Sequence, residues 1–113
     1  MLFRSKEYLD NAALVGAYAR DCLDEIASRH PSIGQVRGIG LMQGVEFTRD
    51  TGRRHPDERR RDRVGNLAFE RGLLLLGCGK STVRFSPPLC ITRAEIDEGL
   101  LIFDETVSIA EKE

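Results

Sequence analysis

The sequence predicts an α+β domain, a two-layer sandwich whose small, mostly antiparallel sheet carries helices packed on one face. Three observations lead there. Three segments show the three-four apolar spacing of amphipathic helices, and the stretches between them run apolar or alternate over strand lengths. The order is helix, strand, strand, helix, strand, strand, helix, which suits one sheet under one helical layer. Glycines sit inside each two-strand stretch, where a turn is needed. At 113 residues the chain, residues 1–113, has the size of a single domain.

Residues Ser5 to about Arg29 read as the first helix. Leu9, Ala12, Ala13, Gly16, Ala19, Leu23, Ile26 and Ala27 form its apolar stripe, and the small residues among them allow a close neighbour. His30-Pro31 stops it. From Val36 to Phe47 the pattern is strand, a glycine-softened bend at Gly38–Gly40, and strand again. Leu41, Gln43, Val45 and Phe47 alternate with Met42, Gly44 and Glu46, so the sheet has two unequal faces. A polar loop, Thr48 to about Pro56, leads to a helix from about Asp57 to Arg71. Asp57 and Glu58 suit its first turn, Val64, Leu67, Ala68 and Phe69 its inner face, and Gly72 its C-terminal cap. The last helix opens on the capping-box pattern Thr92-Arg93-Ala94-Glu95 and buries Ile96, Leu100, Phe103, Val107 and Ala110.

The central stretch is Arg71 to Leu89. Leu73–Leu76 and Thr82–Phe85 read as two strands joined by Gly77-Cys78-Gly79-Lys80-Ser81, and Pro87-Pro88 ends the ladder because proline has no amide donor. Four successive leucines imply burial on both faces. In the second strand Val83 and Phe85 take one face, so Arg84 takes the other. There a guanidinium in a partly desolvated seam would need an anionic partner. An exposed strand arginine or a structural ion pair would satisfy the same pattern.

Composition narrows the function classes. Seventeen basic and eighteen acidic residues leave a formal charge of −1, which gives no reason to expect nucleic acid or an anionic membrane as partner. No apolar run reaches the roughly 20 residues of a membrane span. Cys22, Cys78 and Cys90 lack metal-ligand spacing and read as free, buried thiols of a reducing, cytoplasmic compartment. His30 and His55 read as surface residues. Gly79-Lys80-Ser81 resembles the tail of a phosphate-binding loop, but the glycine required five residues earlier is Leu74, and a strand follows where a helix should. The run from Arg53 to Arg63 interleaves acids with bases and reads as a solvated helix face.

Taken together, Val36–Phe47 (VRGIGLMQGVEF), Glu70–Leu76 (ERGLLLL), Val83–Leu89 (VRFSPPL) and Ile91–Leu100 (ITRAEIDEGL) resemble the C-terminal domain of class III pyridoxal-phosphate aminotransferases. The similarity is to the 4-aminobutyrate and acetylornithine/ornithine type, and it extends to Asn11 and Gly16. This resemblance implies the small domain of a homodimeric enzyme, packed against a large cofactor-binding domain absent here. It further implies an amino donor, a 2-oxo acid acceptor, and Arg84 as the residue that binds the substrate carboxylate. Pyridoxal phosphate belongs to the intact parent. Lys6, Lys80 and Lys112 do not resemble the family's Schiff-base lysine, so this chain alone is expected neither to bind cofactor nor to turn over. The alternative is a free-standing, non-catalytic binding or oligomerisation module derived from such an enzyme; Met1 suits either reading.

Overall fold

The computed structural model describes residues 5–49, 55–87 and 91–113. Seven elements follow in the expected order: α1 (Ser5–Arg29), β1 (Ile33–Ile39), β2 (Met42–Phe47), α2 (Glu58–Glu70), β3 (Leu76–Cys78), β4 (Thr82–Phe85) and α3 (Arg93–Lys112). The four strands form one antiparallel sheet in the order β1-β2-β4-β3. Two hairpins therefore meet along β2 and β4. Gly40 (φ 56°) turns the first and Gly79 (φ 59°) the second, a region that only glycine enters freely.

All three helices pack together with the sheet around one core. Val36, Val45, Phe47 and Val83 enter it from the strands, and Leu23, Val64 and Leu100 from the helices. Phe103 of α3 lies at its centre, 6.4 Å from the Phe47 ring and edge-on to Phe85 at 5.1 Å. The α3 stripe is buried as the spacing requires, from Ile96 to Ala110. Its first turn carries the full capping box, with Thr92 Oγ1 accepting from the Glu95 amide and the Glu95 carboxylate accepting from the Thr92 amide. Asp57 is the N-cap of α2, accepting from the Arg60 amide, rather than a first-turn residue.

Several expectations need correction. Leu9 and Ala13 are exposed, while Val15 is buried, because the packed stripe of α1 runs through Ala12, Val15, Ala19 and Leu23. The four leucines do not form a doubly covered strand. Strand β3 begins only at Leu76, and Leu75 is buried while Leu74 and Leu76 are 68% and 43% exposed. The reason is topological: β3 is an edge strand and only one face of the sheet has a helical layer. Phe69 points outward. Cys78 is exposed rather than buried, and Cys22 is only half-buried, packed against the edge of the core. Cys90 and Pro88 lie outside the described residues, as do Arg53 and Arg54.

Candidate functional site

Strand alternation places Arg84. Val83, 1% exposed, and Phe85 against Phe103 face the helices, so Arg84 points to the uncovered face of the sheet. Its cross-strand partners are Gly44 on β2 and Leu76 on β3, and Gly44 in turn pairs with Arg37 on β1. Paired residues of antiparallel strands share a face. One row thus reads Arg37, Gly44, Arg84, Leu76 across the sheet.

Gly44 puts no side chain on the floor of that row. A Cβ there would press on Thr82 Cγ2 at 3.3 Å, with the Arg37 and Val83 carbonyl oxygens at 3.6 and 4.0 Å. Arg37 is engaged, its guanidinium 3.5 Å from the Glu46 carboxylate. Arg84 differs. It is half-buried, and its Nε is shielded from solvent with no hydrogen-bond partner among the described residues. A shielded guanidinium N–H without an acceptor is costly, and a carboxylate offering two oxygens is the group that relieves it. Around this row Ile39 and Met42 are 89% and 54% exposed. The uncovered face thus carries exposed apolar side chains, the Arg37–Glu46 pair and the Arg84 guanidinium with its Nε unpaired among the described residues.

Other residues singled out by the sequence fall elsewhere. Lys80 lies exposed in the β3–β4 turn, and Ser81 beside it is buried ahead of a strand, so the phosphate-loop reading has no helix to support it. Lys112 is exposed at the end of α3. Of the arginines of α2, Arg61, Arg60 and Arg63 pair with Asp62, Asp57 and Glu113. No group of three or more metal-ligating side chains occurs among the described residues, and none of their helices is long and apolar enough to cross a membrane. An apolar cleft of about 230 Å3 lies between α1, α3 and β4, lined by Leu23, Phe85 and Leu100. It opens on the helical side of the sheet and does not include Arg84.

One residue was misread. His30 is 7% exposed, not a surface residue, and both its ring nitrogens face carboxylates from α3. The sequence signal was faint: Asp104 and Glu111, two helical turns apart, share one face of α3, but nothing local tied them to position 30. His55 is exposed as expected.

The sequence profile of class-III aminotransferases matches residues 1–107. The chain belongs to that family. Against 4-aminobutyrate aminotransferase of Escherichia coli (strain K12), this class-III chain is 35% identical over 106 residues, covering 92% of itself and 25% of the relative. Against isoleucine 2-epimerase of Lentilactobacillus buchneri it is 34% identical over 103 residues, covering 91% of itself and 23% of the relative. The fold agrees with solved relatives. A transaminase from directed evolution by ancestral reconstruction superposes with a TM-score of 0.88 at 34% identity, over 95% of this chain and 24% of that one. The aminotransferase of Vibrio fluvialis, solved with PMP, gives 0.87 at 27% identity, over 96% and 24%. The class-III chain thus spans about a quarter of the length of these relatives.

Proposed function

We propose that this chain is the substrate-facing small domain of a pyridoxal-phosphate transaminase, and that Arg84 clamps the carboxylate of its amino acid or 2-oxo acid substrate. The observation that carries the reading is the Arg84 guanidinium, half-buried on the uncovered sheet face with its Nε unpaired among the described residues. A substrate carboxylate supplies the missing acceptor and, through two parallel hydrogen bonds, fixes orientation as well as affinity.

Two of the lysines do not suit the cofactor. Lys80 and Lys112 are exposed, without the burial that would lower an amine's pKa for imine formation. Pyridoxal phosphate, whose bound form acts as an electron sink, would be held by a large domain of a longer polypeptide. That domain and the second subunit of a homodimer would cover the apolar residues around Arg84. The donor would be a 4-aminobutyrate- or ornithine-like amine and the compartment the cytoplasm. The exposed Ile39 and Met42 would equally suit a non-catalytic oligomerisation module, and the Arg84 kinetics separate the two.

Truncating one member of a desolvated charge pair costs roughly 2–5 kcal/mol. In the full-length enzyme Arg84→Ala should therefore lower kcat/KM for a carboxylate substrate by about thirty- to several-thousand-fold. Arg84→Lys should recover only part of this, because an ammonium cannot form the planar bidentate pair. Single-turnover measurement of each half-reaction is the test. Losses confined to carboxylate substrates support the clamp, and equal losses with an amine lacking a carboxylate refute it.

A further inference from the structure

The buried imidazole at the end of α1 is not used by any step of the reading above. His30 follows the last residue of α1, and its ring lies between the start of β1 and the second half of α3. Nε2 is 2.6 Å from Asp104 Oδ1 and Nδ1 is 2.8 Å from Glu111 Oε1. A neutral imidazole carries one N–H, so one of these contacts would set a lone pair against a carboxylate oxygen. The imidazolium, with two N–H groups, satisfies both. Each carboxylate is tied further. Glu111 Oε2 accepts from the Ser32 amide at 3.0 Å, and Asp104 Oδ2 accepts from Arg29 at 3.1 Å. The charged groups facing the cluster are Arg29 and Glu25 from α1, which pair with each other at 3.5 Å, and Asp104 and Glu111 from α3.

We propose that His30 is a pH-responsive latch, an imidazolium that pins the C-terminal half of α3 to the α1–β1 corner through Asp104 and Glu111 and releases it on losing its proton. The α1–β1 turn holds few other ties: the His30 and Ile33 amides bond back to Ala27 and His30 carbonyls, and the Thr48 amide reaches the Ser32 carbonyl. The latch is thus the one charged connection between that corner and α3 among the described residues, apart from Arg29 with Asp104.

The window follows from the two shifts. Burial works against the imidazolium, but the hydrogen bonds to Asp104 and Glu111 outweigh it and hold His30 above its ordinary 6.5. Burial would likewise raise Glu111, but its hydrogen bonds from Ser32 and His30 take it below the ordinary 4.5. The histidine contribution is complete below about pH 6.5 and is lost as pH rises through the folded value. The Glu111 contribution is complete above about 4.5 and is lost as pH falls through its own folded value. Both are present together between these limits.

The test uses the full chain with 15N-labelled histidine. Only two histidines are present, and His55→Gln supplies the assignment. At pH 6 the His30 ring should carry two N-bound protons, and it should titrate above 6.5; a single ring proton at pH 6, or a midpoint at or below 6.5, overturns the latch. In urea unfolding, wild-type stability should fall from pH 6.5 upward, by up to about tenfold in the folding constant per pH unit. His30→Gln should lose that slope, and an unchanged slope overturns the proposal. Should His30→Gln fail to fold, Glu111→Gln must lower the His30 midpoint in the same spectra, and an unmoved midpoint counts against it. None of these readings depends on Arg84 or on turnover, so the latch and the transaminase reading fail separately.

Discussion

Two helical glycines in this fold should respond to alanine with opposite signs. Gly16 lies on the buried stripe of α1, where the β1–β2 hairpin comes down on it. A Cβ at Gly16 would lie 2.4 Å from both the carbonyl carbon and oxygen of Gly40, and 2.9 Å from its Cα. Carbon contacts settle at about 3.5–4.0 Å, so more than ~1 Å must be opened. The obstacle is backbone and cannot rotate aside. Gly40 is itself held at φ 56° by the turn. Helix α1 must therefore lift, loosening Ala12, Val15 and Ala19 at once. Overpacking of this kind costs about 1–3 kcal/mol, and the better helix propensity of alanine returns at most ~1 kcal/mol. A net loss of up to about 2 kcal/mol is expected at this position. Gly65 in α2 is the control, since a Cβ there meets nothing within 4 Å. Gly65→Ala should gain about 0.5–1 kcal/mol. With urea slopes of about 1–3 kcal/mol per molar, the two variants should melt on opposite sides of wild type, separated by about 1 M. Midpoints shifted in the same direction, or Gly16→Ala at or above wild type, would refute the packing argument.

Removing the cap of α3 by Thr92→Ala should cost about 1 kcal/mol, because it frees the Glu95 amide and half of the reciprocal box; circular dichroism with urea melts measures it, and no loss would mean the first turn is held by other contacts. Pyridoxal phosphate titrated into the isolated chain should give no stoichiometric imine band surviving dialysis, and borohydride should label no single lysine, since Lys80 and Lys112 are exposed. A tight adduct at Lys80 with turnover would overturn the view that the cofactor site lies outside this chain.

Much of the fold was legible because most of it is local. Helical stripes of α2 and α3, the capping box and the two-faced strand β2 are written in spacings of two, three and four residues, and each is found as written except for Phe69, which α2 turns outward. What failed depended on neighbours far along the chain. The Leu73–Leu76 run was misjudged because its burial depends on strand order, and edge position is invisible in a single segment. His30 was misjudged because its partners lie more than 70 residues away. The direction of Arg84 followed from alternation alone, but the bare floor beside it did not. That required knowing that β2, not β1, lies next to β4, which brings Gly44 alongside.

A single uncovered sheet face has a consequence for how such a domain can diverge. Along β1, β2 and β4, the residues that hold the fold (Val36, Val45, Val83) and those that meet the outside (Arg37, Gly44, Arg84) are interleaved one for one. Replacing a member of the outer set leaves the packed layer untouched, since the two point apart. Chemistry can then be rewritten at alternate positions of one short stretch of chain without renegotiating stability. The relatives of this chain include an epimerase and an aminotransferase at nearly equal identity, a spread that such a division of labour within each strand would permit.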